Sequence, residues 1–245
     1  VTVSIAAYRA MTSLGIKPDV LAGLSLGEYS ALTASGVFSF SKVLPLVRKR
    51  GQIMQEAVPA GKGKMCAVLG LSDEKVREAC KEASSFGIVE PANYNCPGQI
   101  VIGGEIKAVD EAARLAKEKG ALRIMDLPVS VPSHTSMLSE AADKLKEELD
   151  KIELCDIRIP IVSNVTADYI GSKSEIKDLL VRQVKSSVLF EQSIRRMIED
   201  GVENFIEIGP GRTLGGFVKR IDRSLGIYNV EDLASLEKTI KALKA

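Results

Sequence analysis

Apolar residues recur along this chain with two different periods, and their order sketches a fold. Residues 1–14 carry Ile5, Ala6, Tyr8, Ala10, Met11 and Leu14 at helical spacing, with Gly15 as a stop. The short apolar run Val20-Leu21-Ala22 reads as a strand. Residues 26–35 read as a helix closed by Gly36, and residues 39–57 as a second helix broken by Pro59-Ala60-Gly61. The texture then changes. Strands over 64–69, 87–92, 99–103 and 122–126 alternate with helices over 73–83 and 106–119 in the order β-α-β-β-α-β, which is the split ferredoxin-like unit.

Past this unit, residues 137–149, 178–184 and 190–200 read as helices, and residues 159–163 and 204–208 as strands. The turn Gly209-Pro210-Gly211-Arg212 opens a helix near Thr213. Residues 231–245 form a last helix, with Leu233, Leu236, Ile240 and Leu243 on one face. Strands alternating with helices imply a parallel sheet covered on both faces. The pattern thus predicts an α/β protein. Its large discontinuous domain takes residues 1–60 and 129–245, and a ferredoxin-like subdomain takes residues 61–128 between hinges near Gly61 and Pro128.

Composition narrows the function. The 245 residues are 45% hydrophobic, enough for a sizeable core, and the net charge is only +1, which argues against a general nucleic-acid binder. Aromatics are 4% and Trp is absent, so a stacking platform for single strands is not expected. Cys66, Cys80, Cys96 and Cys155 are widely spaced without a C-x-x-C, which supports neither zinc nor dithiol redox chemistry. Buried free thiols in a reducing compartment are expected. No apolar run approaches the length of a membrane span and no basic-then-apolar leader is visible, so a cytoplasmic protein without membrane or metal partners is expected.

Chemistry concentrates around Ser25, in Gly23-Leu24-Ser25-Leu26-Gly27-Glu28-Tyr29-Ser30-Ala31-Leu32. A small residue two places either side lets the backbone turn sharply from strand to helix and exposes the hydroxyl at a helix N-terminus, which favours developing negative charge. This elbow gives the large domain an α/β-hydrolase-like character. A serine nucleophile needs a base. The chain has one histidine, His134, in the loop Val131-Pro132-Ser133-His134. Taken separately, His134 also reads as a hydrogen-bonded structural histidine and Ser25 as a helix cap. The order argues against an ordinary lipase or esterase, where the histidine comes last. The glycine turn at Gly209-Pro210-Gly211 could suggest a phosphate cradle, but it matches neither G-x-G-x-x-G nor a Walker loop and reads better as a tight turn.

Together with Arg50-Gly51, Met54-Gln55-Glu56-Ala57-Val58-Pro59, Asn93-Tyr94-Asn95-Cys96-Pro97-Gly98-Gln99, Pro132-Ser133-His134 and Glu207-Ile208-Gly209-Pro210-Gly211, the elbow resembles the malonyl-CoA:acyl carrier protein transacylases of fatty-acid synthesis. The resemblance runs over nearly the whole chain. It implies ping-pong transfer of malonyl from coenzyme A through Ser25 to the phosphopantetheine thiol of acyl carrier protein, with no cofactor of its own. It implies His134 as base and acid, oriented by a backbone carbonyl at or near Gln183. It implies Arg50 as the group that grips the malonyl carboxylate, a role suited to a guanidinium. Asn93 and Gln99 match positions lining the site. Many members carry His where this chain has Leu24, a position that is not the base.

Members of the family also begin with a strand and a Gly-Gln-Gly-x-Gln loop whose glutamine helps form the oxyanion hole. No such segment occurs here, so a missing or separate N-terminal segment is expected as a partner, with the Leu26 N–H as the remaining donor. The protein is expected as a monomer. Candidate charges for docking an acidic carrier are Lys62, Lys64, Arg182, Lys185, Arg195, Arg196, Lys219 and Arg220. The competing functions are a serine thioesterase and a non-catalytic fragment that binds acyl carrier protein.

Overall fold

The computed structural model describes residues 1–59 and 61–244. Ala60, in the expected break after the third helix, and Ala245, at the expected end of the last, lie outside the described residues. The chain divides into two units. The first comprises Val1–Pro45, Leu154–Lys173 and the segment from Glu191 onward, and the second comprises Leu46–Glu153 and Ser174–Phe190.

The first unit opens with helix α1 (Thr2–Ser13) and helix α2 (Leu26–Ala34). Helix α3 (Phe40–Ala57) starts in the first unit and continues in the second. Pro45, which has no N–H to donate within a helix, is the last residue before the division. The expected strands over 20–22 and 159–163 are reduced to one parallel bridge, Leu21 with Ile161. Its two rungs are Leu21 N to Pro160 O (2.9 Å) and Val162 N to Leu21 O (3.0 Å). Pro160 cannot donate and the chain turns away after Ala22, so the ladder has no room to lengthen.

In the second unit, β1 (Gly63–Leu69), α4 (Asp73–Ala83), β2 (Val89–Cys96), β3 (Gln99–Glu105), α5 (Ile106–Glu118) and β4 (Arg123–Asp126) follow the ferredoxin-like order. Strand β5 (Val188–Leu189) joins them to give the sheet β4-β1-β3-β2-β5, antiparallel except where β5 runs parallel to β2. Val76, Ala79, Cys80 and Ala83 of α4 and Ala108, Val109, Ala112 and Ala116 of α5 are buried at helical spacing. They pack with Cys66, Val68, Ile100 and Ile102, alternate residues of β1 and β3. Burying each of Val68, Ile100 and Ile102 contributes about 1.5–3 kcal/mol. Met65, Ala67, Ala92 and Val101 cover the other face. The unit is wider than residues 61–128, because α3 from Leu46, α6 (Ser139–Asp150) and most of α7 (Lys173–Lys185) belong to it.

The first unit resumes with α8 (Phe190–Glu199), β6 (Asn204–Ile208), α9 (Thr213–Ile221), β7 (Gly226–Val230) and α10 (Leu233–Leu243). Strands β6 and β7 are parallel, from Asn204↔Gly226 to Ile208↔Val230. Periodicity did not single out β7, whose sequence Gly-Ile-Tyr-Asn-Val mixes apolar and polar positions. Met11, Val230 and Leu236 anchor a core shared by α1, β7 and α10.

Candidate active site

Ser25 sits where the bridged segment turns into α2, with φ 51° and ψ −104°. A non-glycine residue held there stores about 1–3 kcal/mol of backbone strain. Two neighbours hold it. A Cβ on Gly23 would lie 2.1 Å from the carbonyl carbon of Gly27, so only glycine lets the strand end lie against the first turn of α2. Gly27 itself faces open space. Asn164, 1% exposed, accepts from Ser25 N through Oδ1 (2.7 Å) and donates through Nδ2 to Gly23 O (2.6 Å). The Ser25 side chain makes no capping bond to α2, so the helix-cap reading falls. Gly27 N bonds Leu24 O (2.9 Å) and Glu28 N bonds Ser25 O (3.1 Å). The Leu26 N–H takes part in no hydrogen bond among the described residues, and Leu26 is exposed.

His134 belongs to the second unit and is 4% exposed, with φ 66°. Its Nδ1 lies 2.6 Å from the main-chain oxygen of Gln183. A carbonyl only accepts, so Nδ1 carries the proton and Nε2 keeps its lone pair. Burial pulls the imidazole pKa down to about 4; the Gln183 carbonyl pushes it up, and the Arg50 charge pushes it further down. The ring is therefore neutral at pH 7, the state a general base needs. The loop is fixed at several points. His134 N donates to Val184 O (3.0 Å), and Thr135 Oγ1 to Pro132 O (2.7 Å). Glu90 on β2 accepts from both Ser136 N and Ser136 Oγ at 2.7 Å. A Cβ on Gly63 would meet Pro132 Cδ at 2.4 Å, so β1 and this loop also touch through a glycine.

Arg50 on α3 is 6% exposed, and its Nη2 donates to Gln183 Oε1 at 3.1 Å. The solvated-face reading that Arg48-Lys49-Arg50 would suggest does not hold for Arg50. His134, Arg50 and Gln183 thus come together in the second unit, while Ser25 and Leu26 belong to the first. Asn93 is a buried β2 residue in register with Val101 and Val188. Gln99 is the first residue of β3, in register with Leu69 and Cys96.

Two residues escaped the sequence reading. Asn164 follows Ser163 just past the apolar pair Ile161-Val162, and an amide beyond the end of an expected strand was the available signal. Glu90 carried no signal, because a carboxylate on a strand is ordinary.

The glycine turn before α9 is already supplied with anions. Glu207 accepts from Leu214 N (3.1 Å) and Gly215 N (2.7 Å), and Glu231 accepts from Gly211 N (3.1 Å). Two carboxylates on those amides leave a tight turn, not a phosphate cradle. Several docking candidates are engaged within the chain. Lys64 pairs with Asp110 and Asp126, Arg182 with Asp178, Arg195 with Glu191, and Arg196 with Asp168 and Asp200. Cys66, Cys80 and Cys96 are buried free thiols, but Cys155 is exposed, contrary to expectation. Burial pushes the Cys66 and Cys80 thiols up to about 12. Among the described residues no helix is long and apolar enough to cross a membrane, and no group of three or more His, Cys, Asp or Glu is placed to hold a metal.

An elbow serine and a neutral, carbonyl-oriented histidine are the furniture of acyl transfer. The chain belongs to the acyl transferase domain family, whose description matches residues 1–242. It is 48% identical over 244 residues to the malonyl CoA-acyl carrier protein transacylase of Bacillus subtilis strain 168, covering 99% of this chain and 77% of that protein. The structure is similar to the acyl carrier protein S-malonyltransferase of Vibrio cholerae, with TM-score 0.95 and 45% identity over 97% of this chain and 78% of that one. It is equally similar to a malonyl-transacylase solved in complex with a type II PKS acyl-carrier protein, with TM-score 0.96 and 43% identity over 98% of this chain and 78% of that one. The α/β fold expected from the sequence is thus the fold of these enzymes.

Proposed function

We propose that this chain transfers a malonyl group from coenzyme A to the phosphopantetheine thiol of an acyl carrier protein, as in fatty-acid biosynthesis, through a malonyl ester on Ser25. The observation that carries the reading is the arrangement on Gln183, which holds a neutral imidazole by its backbone and a guanidinium by its side chain. One group serves proton transfer and the other suits a carboxylated acyl group.

In the first half-reaction Ser25 Oγ attacks the thioester carbon and its proton passes to His134 Nε2. The oxyanion is met by the Leu26 N–H at the N-terminus of α2, a donor that takes part in no hydrogen bond among the described residues. The carbon–sulfur bond breaks, and the imidazolium returns the proton to the coenzyme A sulfur, which leaves as a thiol. In the second half-reaction His134 takes the proton of the phosphopantetheine thiol, the sulfur attacks the malonyl ester, and Ser25 Oγ leaves with that proton. Arg50 grips the malonyl carboxylate with two parallel hydrogen bonds and disfavours acetyl, which would leave it desolvated. Asn93 and Gln99 line the acyl site. The phosphopantetheine comes with the partner, so the scheme draws on no cofactor of the chain.

Of the candidate docking cations, Lys62, Lys185 and Lys219 take part in no ion pair among the described residues, and we assign the carrier contact to them. We keep the ferredoxin-like segment 61–128 as the subdomain and place the reaction in the cytoplasm, where free thiols stay reduced.

Mixing the protein with malonyl-CoA and reading intact mass and peptide map tests the proposal. A malonyl adduct on Ser25 that discharges onto acyl carrier protein is expected. An adduct that persists in Ser25→Ala, or one that discharges to water as fast without an acceptor thiol, overturns it.

A further inference from the structure

We propose that Asn164 is a positioning residue for Ser25, its carboxamide standing in for a peptide group where the sheet ladder stops at the elbow. The proposal rests on the reading of Ser25 as nucleophile.

The parallel register begins at Leu21, whose N–H goes to Pro160 O and whose carbonyl receives Val162 N. Continued by the rules of a parallel ladder, Gly23 O would receive the main-chain N–H of residue 164, and Ser25 N–H would go to the main-chain oxygen of residue 164. Both bonds are made, but by the side chain. Asn164 Nδ2 reaches Gly23 O at 2.6 Å and Asn164 Oδ1 receives Ser25 N at 2.7 Å. An amide side chain has one donor and one acceptor group in the same relation as a peptide. It therefore satisfies both groups while leaving the main chain at Ser25 free to take φ 51°, which a regular strand would forbid.

The substitute is itself held firmly. Asn164 lies in a tight turn closed by the antiparallel bridge Val162 with Tyr169, by Ser163 N to Asp168 O (3.0 Å) and by Ala167 N to Ser163 O (3.0 Å). Capture of the Ser25 N–H has a second effect. It commits that donor to Asn164 and leaves Leu26 N–H as the elbow donor with no hydrogen bond among the described residues.

The acylation half-reaction, followed by rapid quench and intact mass with malonyl-CoA, reads the role. Asn164→Ala strands both elbow groups and is expected to lower the rate by about 10²-fold, the penalty of a slightly misplaced nucleophile. Asn164→Asp is the sharper variant. An ionised carboxylate keeps the acceptor for Ser25 N–H but repels Gly23 O, whereas the protonated acid donates to Gly23 O and restores both bonds. Burial next to a carbonyl raises the pKa of the new carboxyl. The rate of Asn164→Asp relative to the unaltered protein should therefore rise at least threefold as pH falls from about 8 to about 5.5. Circular dichroism on the same samples separates folding from positioning. A ratio that rises less than threefold overturns the proposal. If neither variant folds, amide exchange on the unaltered protein decides: a Ser25 amide as slow as those inside α2 supports the bond, and one that exchanges at the exposed rate overturns it. Adduct formation in Ser25→Ala would instead overturn the identity of the nucleophile.

Discussion

His134 gives its Nδ1 proton to the main-chain oxygen of Gln183 across 2.6 Å, and the side chain of the same glutamine receives Arg50. One residue thus fixes the proton-transfer group by a feature no substitution removes, and the carboxylate-binding group by a feature any substitution can remove. Gln183→Leu should separate them. Loss of a buried hydrogen bond to a charged group, about 1.5–3 kcal/mol, should raise KM for malonyl-CoA by about 10- to 10²-fold. The imidazole tautomer should not change, and because the chain has a single histidine, ¹⁵N spectra of labelled histidine report it directly.

Stability and activity should both follow His134 in acid. Its pKa is about 4 in the folded chain against the ordinary 6.5. Between those values the unfolded chain binds a proton that the native chain refuses, so stability is intact above about pH 6.5 and declines as pH falls toward about 4. The full span corresponds to about 3 kcal/mol. Urea unfolding of the protein and of His134→Gln at neutral pH and near pH 4.5 checks this: the stability gap between them should shift by about 2–3 kcal/mol. The acylation rate should hold down to about pH 5, lower than an ordinary imidazole base allows.

Glu90 holds the histidine loop from β2 by two bonds to Ser136. Glu90→Ala should reduce kcat by about tenfold with little change in KM for malonyl-CoA, because the loop and not the acyl contact is loosened. Glu90→Gln keeps an acceptor for one of the two bonds and should recover most of the rate. Steady-state kinetics on the two variants decide it.

The two glycines of the elbow are unequal. Gly23→Ala drives a methyl into the main chain of Gly27 and should cost about 2–3 kcal/mol of stability. Gly27→Ala places its methyl in open space on a helix and should leave stability unchanged or raise it by about 0.5–1 kcal/mol. Thermal melts of the two proteins give the contrast.

Much of this was legible beforehand. The order of elements in the second unit follows from apolar spacing, and α4 falls on the expected residues because its buried positions keep one helical face. Ser25 and His134 stand out because one sits in a glycine-flanked turn and the other is the lone imidazole. What escaped is what depends on contacts distant in sequence. Residues 159–163 have strand composition, yet Pro160 and a partner of three residues permit a single bridge. Arg50 is named by the resemblance alone: its basic run looks solvated, and its burial and its bond to Gln183 depend on a residue 133 positions away. Asn164 lies 139 residues from Ser25, and no local pattern links them.

Strand β2 carries Glu90, which ties down the histidine loop, then Pro91, whose oxygen accepts Ser187 Oγ at 2.6 Å, then Asn93, which pairs with Val188 just beyond Gln183. The loop bearing the imidazole and the segment bearing its carbonyl are therefore gauged against the same few residues. Drift of that strand carries both along together, so their separation is inherited intact while surrounding helices and loops are free to diverge. The strand itself, with register shifts between Pro91 and Asn93 and between Tyr94 and Cys96, is where an inserted residue would do most damage.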